Sequence, residues 1–243
     1  MKTKVWAHRG ASAYAPENTL EAFALADRMG ADGIELDVQL SRDGEVVVVH
    51  DETIDRVSSG TGFVKDYTLA ELKAMHFSRL HPEYAGAVIP TLREVYELLR
   101  DSRMTVNVEL KNSIIPYPGL IEKTLKITAD CGMKDRVIYS SFFHPGLLEV
   151  KRLQPDAETG MLYSDGLYHA AEYAKDKLHV DALHPALYHM QDPALLKEAA
   201  EKGLAIHVWT VNEAADMERL IRDGIDAIIT NKPDLCRKCA EQS

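Results

Sequence analysis

Eight short β-rich apolar runs recur along this chain with amphipathic stretches between them, and that alternation limits the fold more than any other feature. The runs are Lys4–His8, Gly33–Gln39, Met104–Leu110, Val137–Ser141, Glu158–Tyr163, Val180–His184, Ala205–Thr210 and Ala227–Thr230. Helical periodicity falls between them, for example at Thr19–Met29, Thr91–Leu99, Pro193–Glu201 and Glu213–Arg222. Gly30, Gly132, Gly203 and Gly224 each close a helical pattern just before a strand, where a left-handed stop costs least with glycine. Strands that alternate with helices imply a parallel sheet, and eight such units in 243 residues match a (β/α)8 barrel. A doubly wound open sheet would carry a glycine-rich phosphate turn after its first strand, and His8-Arg9-Gly10 is not one. No linker, charge block or low-complexity tract divides residues 1–243, which read as one domain. Asp51–Pro90 has too little periodicity for one helix and is expected to be an insertion.

One run breaks the pattern. Glu45–His50 follows Gly33–Gln39 too closely for a helical crossover, and Asp43-Gly44 between them is a two-residue hairpin signal. The chain should therefore double back in an antiparallel hairpin after strand 2. A two-residue turn pairs Arg42 with Glu45, Leu40 with Val47, Val38 with Val49, and Asp37 with His50.

The strand ends hold the residues suited to chemistry. Glu35 and Asp37 are two apart, so in a strand they share a face, and Glu109 and Lys111 repeat the device on the neighbouring barrel strand. Three carboxylates on one rim repel one another unless a cation joins them, and hard oxygen donors favour Mg²⁺ or Ca²⁺ over zinc. His8 ends the first strand and His50 ends the returning one, which flanks the acids with two imidazoles able to exchange protons near neutral pH. Arg9 and Lys111 add a planar fork and a point charge, a pair better matched to a phosphate than to a neutral substrate. Phe142 and Trp209, at later strand ends, are candidates to line the pocket against a carbon skeleton. No second acidic cluster occurs at the remaining strand ends, which points to one metal and a pocket wall. Asn18 or Thr19 reads as the N-cap of the first helix, and His76, His81, His144, His169, His179, His189 and His207 receive no role.

Charge narrows the partners further. With 28 Lys and Arg against 38 Asp and Glu, the net charge of −10 opposes binding to nucleic acid and stable association with anionic membranes. The first residues lack the apolar core of a signal peptide, and the expected setting is cytoplasmic. Cys236 and Cys239 have the spacing of half a zinc site but no second pair completes it, so they read as surface thiols.

Ala7-His8-Arg9-Gly10, Pro16-Glu17-Asn18-Thr19, Glu35-Leu36-Asp37-Val38, His50-Asp51, Glu109-Leu110-Lys111 and Val208-Trp209-Thr210-Val211-Asn212 together resemble the bacterial glycerophosphodiester phosphodiesterase family across nearly the whole chain. The resemblance implies a TIM barrel of the phospholipase C-like phosphodiesterase type, with a small insertion after the second histidine. It implies hydrolysis of small glycerophosphodiesters such as glycerophosphocholine to sn-glycerol 3-phosphate and an alcohol. His8 and His50 would be the acid–base pair, Glu35, Asp37 and Glu109 the ligands of one Mg²⁺ or Ca²⁺, and Arg9 and Lys111 the phosphate contacts. The glycerol 2-hydroxyl would act as internal nucleophile through a cyclic phosphate. Two departures stand out: Asn231 replaces a common aspartate, and His184 replaces a common asparagine. Both are expected to alter rim hydrogen bonding without touching the metal or the histidine pair. The competing readings are a non-catalytic barrel that binds phosphorylated ligands, and the same chemistry on larger lysophospholipids admitted by an apolar entrance in Asp51–Pro90.

Overall fold

A computed structural model describes residues 2–242. The chain runs β1 (Lys4–His8), α1 (Leu20–Arg28), β2 (Gly33–Leu40) and β3 (Val46–Val48), then α2 (Leu69–Lys73), α3 (Leu92–Leu98), β4 (Thr105–Leu110) and α4 (Leu120–Asp130). It continues with β5 (Val137–Ser141), α5 (His144–Leu153), β6 (Glu158–Tyr163), α6 (Ala170–Glu172) with a π-helical extension over Tyr173–Leu178, and β7 (Ala182–Pro185). The last elements are α7 (Pro193–Lys202), β8 (Ala205–Val208), α8 (Ala214–Arg222), β9 (Ala227–Thr230) and α9 (Pro233–Gln242). All strands but β3 pair in parallel, and β1 bonds to both β2 and β9, so eight strands close the barrel. β3 lies outside it, antiparallel to β2. Among the described residues, no helix is long and apolar enough to cross a membrane.

Local signals place the helices. The Thr19 hydroxyl accepts from the amide of Ala22 and starts α1, and Thr91 with Glu94 forms a reciprocal capping box on α3. The helices cover the outer faces of the strands through two large apolar clusters. Cys236 and Cys239 belong to the second of these and are buried, contrary to their reading as surface thiols. Their i, i+3 spacing puts both on the apolar side of α9, against the barrel. Burial pushes the Cys236 thiol up to about 12, where it is inert.

The hairpin register differs by one residue from the expectation. Val38 pairs with Val48, Gln39 with Val47 and Leu40 with Val46. The turn spans Arg42-Asp43-Gly44 and not two residues: Ser41 N–H donates to the Glu45 carbonyl at 3.0 Å, and Gly44 adopts φ +82°. A three-residue loop that ends in a left-handed residue shifts every pair by one. Asp37 therefore lies opposite Val49, whose N–H donates to its carbonyl at 2.9 Å, and not opposite His50. With this register Val46 and Val48 pack toward the main core, while Val47 and Val49 join Ile54, Val57, Val64, Leu72, Phe77 and Ile89 in a separate apolar cluster within the 51–90 segment. Beyond β3 the chain is pinned by the buried Gln39 amide, whose nitrogen donates to the carbonyls of Val49, His50 and Asp51 at 3.0, 3.1 and 2.8 Å. The outer edge of β3 is bonded in turn by the returning chain, through Val48 N–H to the Pro90 carbonyl at 2.9 Å and a bridge between Val47 and Thr91.

The barrel interior is partly polar. His207, given no role from sequence, and His184, expected on the rim, form a buried pair with Nδ1 of the first 2.8 Å from Nε2 of the second, and the His207 ring lies 4.5 Å from that of Trp6. Burial, and then mutual charge or that of Lys4, holds both far below the usual histidine range, with His207 lowered to about 3. Gly160 makes room for them, because a Cβ there would fall 2.1 Å from His184 Nε2.

Two outcomes follow. Gly160→Ala should lower stability by about 1–3 kcal/mol through overpacking, a fall of roughly 2–12 °C in Tm, and the same change should cost almost nothing in a His184→Ala background. The unfolded chain takes up protons at these histidines below about pH 6.5 while the folded chain does not. Stability is therefore complete above that pH and falls as pH drops toward about 3, by up to about 1.4 kcal/mol per unit per histidine. Urea unfolding of wild type and His207→Gln across this range should show a shallower decline in the variant; parallel curves would contradict the assignment.

Candidate active site

Register brings the candidate residues together at the C-terminal mouth of the barrel. His8 aligns with Glu35, Glu35 with Asn107, and Asp37 with Glu109, and alternation turns all of these side chains inward. One carboxylate oxygen from each of Glu35, Asp37 and Glu109 lies within 4.8 Å of the others, and all three residues are buried. A cleft of about 350 Å³ opens above them, with His8, Arg9, Glu35, His50, Asn107, Glu109, Phe142 and Trp209 in its wall. Phe142 and Trp209 meet edge to face with ring centres 5.5 Å apart, and the Trp209 indole N–H donates to the His184 carbonyl at 2.7 Å. Asp37 and Lys111 stand just behind this wall. Arg9 Nε is 3.4 Å from Asp37, and Lys111 Nζ is 3.1 Å from Glu109. All nine residues singled out in the sequence thus belong to one locality.

The acids are strained electrostatically. Burial, then the charges of Asp37 and Glu109, push the Glu35 carboxyl well above its usual range, and burial with Asp37 raises Glu109 against the pull of Lys111. For Asp37, burial is outweighed by Arg9, His50, Lys111 and a 2.8 Å hydrogen bond from the Asn18 amide, and its carboxyl lies below the ordinary value. Asp37 Oδ1 and both polar atoms of the Asn107 amide are buried without hydrogen-bond partners. Three hard oxygen donors at this spacing, with Asp37 Oδ1 left without a hydrogen-bond partner, fit a hard divalent cation such as Mg²⁺ or Ca²⁺.

The two histidines have different partners. His8 Nδ1 lies 2.7 Å from Asn231 Oδ1, which also accepts from Ser12 Oγ at 3.1 Å. His8 Nε2 lies 3.9 Å from Glu35. Burial, then the charge of Arg9, lowers the His8 imidazole to about 4, so it is neutral at physiological pH. His50 Nδ1 is 2.6 Å from Asp51 Oδ1, a carboxylate partner where His8 has an amide.

Asn231 therefore touches the histidine pair, contrary to the sequence expectation, because Asn212 Oδ1 accepts its backbone N–H at 2.9 Å and turns its amide toward His8. His184 lies inside the barrel and not on the rim. Sequence reasoning also left Asn18 as a possible cap. Thr19 takes that role, which frees Asn18, held at φ +58°, to donate to Asp37. Glu17, beside it, binds Arg9 Nη1 at 2.9 Å. Asn107 was in plain view as the inward-facing residue two before Glu109, the spacing already used for Glu35 and Asp37.

Comparison with known proteins gives the family. Residues 8–235 match the model of the glycerophosphoryl diester phosphodiesterase family. A glycerophosphodiester phosphodiesterase of Caldanaerobacter subterraneus subsp. tengcongensis is 45% identical over 235 residues, which cover 96% of each chain, and one from Bacillus altitudinis is 39% identical over 99% of each. Among solved structures, an Oleispira antarctica phosphodiesterase in complex with the product sn-glycerol-3-phosphate superposes with a TM-score of 0.88 at 31% identity, covering 100% of this chain and 98% of that one. With its inward acids, flanking imidazoles and full-length likeness to these proteins, the chain belongs to the glycerophosphoryl diester phosphodiesterase family.

Proposed function

We propose that the protein hydrolyses small glycerophosphodiesters, glycerophosphocholine among them, to sn-glycerol 3-phosphate and an alcohol, with one Mg²⁺ or Ca²⁺ bound by Glu35, Asp37 and Glu109. The observation that carries this reading is the convergence of three buried carboxylates between two differently supported histidines in one cleft. Such an ion would polarise the phosphoryl and hydroxyl oxygens as a Lewis acid. Arg9 and Lys111 hold the phosphate, Phe142 and Trp209 bound the carbon skeleton, and the barrel with its 51–90 insertion works as one unit.

Their hydrogen-bond partners support distinct proton roles for the two histidines. Asn231 Oδ1 is an acceptor, so His8 carries its proton on Nδ1 and offers the Nε2 lone pair as base. His8 Nε2 removes the proton from the glycerol 2-hydroxyl, whose oxygen attacks phosphorus. His50 protonates the departing alcohol oxygen from Nε2, while Asp51 at Nδ1 stabilises its charged form. Water then opens the cyclic phosphate with the roles reversed: it yields a proton to His50, and His8 returns its own to the 2-oxygen. Confinement of the 2-hydroxyl next to phosphorus supplies much of the rate.

His8→Ala and His50→Ala should each lower turnover of glycerophosphocholine by roughly 10²–10⁴-fold with the fold retained by circular dichroism. A chelator should stop release of glycerol 3-phosphate and either ion should restore it. Release that ignores chelation, or full turnover in either variant, would overturn the reading. Glu35→Gln replaces the acid whose ionised form burial, Asp37 and Glu109 all oppose, so it should stabilise chelator-treated protein by ~0.5–2 kcal/mol and abolish the rise in Tm on adding Mg²⁺ or Ca²⁺. Loss of stability in that variant without metal would show that the acids do not oppose one another.

A further inference from the structure

Arg56 lies in the 51–90 segment outside the cleft wall, yet its guanidinium joins the supports of both sides of the site. Nη1 and Nη2 grip Glu17 at 2.6 and 2.8 Å, and Nε and Nη2 grip Asp51 at 2.7 and 3.1 Å. The same carboxylates reach inward: Glu17 Oε1 accepts from Arg9 at 2.9 Å, and Asp51 Oδ1 meets His50 Nδ1 at 2.6 Å. Arg9 and His50, which approach the substrate from different elements, are thus ends of one continuous chain with Arg56 at its centre. We propose that Arg56 is a positioning residue for the hydrolysis, setting His50 through Asp51 and Arg9 through Glu17. The inference rests on the roles given above to those two residues.

The chemistry selects arginine. Two carboxylates side by side are held only by a planar fork with donors on two edges, which an ammonium lacks. Without it, Glu17 has Arg9 as its remaining cation and draws that guanidinium away from the substrate anion. Asp51 keeps only His50, and nothing fixes the direction in which it holds the ring. The contacts are partly exposed, with the Arg56 side chain at 40% accessibility, so they contribute little to overall stability. Their effect falls on geometry at the reacting centre, where small misplacements are costly.

The test compares kcat and KM for glycerophosphocholine, with Tm measured alongside, in Arg56→Met, Arg56→Lys and Arg56→Ala. Arg56→Met should lower kcat/KM by roughly 10²-fold, through both a lower kcat and a higher KM, with Tm nearly unchanged. Arg56→Lys should recover little, whereas guanidinium ion added to Arg56→Ala should restore turnover more than methylammonium does. In a Glu17→Gln/Asp51→Asn background, Arg56→Met should have almost no further effect. Activity of Arg56→Met within about threefold of wild type, a loss that merely follows a fall in Tm, or a full further loss in that background would overturn the proposal. His50→Ala, assayed in parallel, separates the failures: if it stays active the reading of the site is wrong, and if it is inactive while Arg56→Met is not, only the positioning role is wrong.

Discussion

The mutual repulsion of Glu35, Asp37 and Glu109 is the constraint around which the mouth of the barrel is organised. Burial of even one carboxylate without a partner is costly, and here strand register fixes three with oxygens within 4.8 Å. The neighbouring side chains answer that cost unequally. Asp37 takes Arg9 and Asn18, Glu109 takes Lys111, and Glu35 has the backbone N–H of Arg9 at 3.1 Å and the uncharged His8 ring at 3.9 Å. The Glu35 carboxyl is accordingly pushed well above its ordinary range. A fold that tolerates this gives up some of its own stability at that point, the usual direction of compromise at a functional site.

Asymmetry between the two imidazoles follows from the same economy of partners. A second carboxylate next to His8 would add a negative charge beside Glu35, whereas the Asn231 amide fixes the ring without one. Asp51 can back His50 because Arg56 neutralises it. One ring is thereby held by a neutral amide and the other by a carboxylate; His8 closes β1, whereas His50 lies two residues beyond β3 and not at the end of the returning strand as the sequence suggested.

Much of this was legible in the sequence. The eight-fold alternation gives the barrel, and the two-residue spacing of Glu35 and Asp37, repeated at Asn107 and Glu109, becomes a shared inward face once β2 and β4 are neighbours. What escaped depends on geometry that residue types do not carry. An Asp-Gly pair serves two- and three-residue loops alike, so the hairpin register turned on whether Arg42 belonged to the loop. The amides of Asn18 and Asn231 act through loop conformations, and His184 and His207 meet only because β7 and β8 are adjacent in the barrel. The apolar side of α9 that buries Cys236 and Cys239 is short and punctuated by charge, and a polar terminal tail is the natural reading of such a stretch.

The outer hairpin has a structural consequence of its own. The chain leaves the barrel wall at β3 and comes back at Pro90 and Thr91 directly alongside it, bonded to the strand it has just left. Departure and return therefore share one clasp, and the exposed rim of β3 that would otherwise invite another strand is already taken. Everything between the two points hangs from a fixed base with an apolar centre of its own. Lengthening or shortening that excursion need not re-register a single stave, which makes it the part of the molecule most open to evolutionary tailoring.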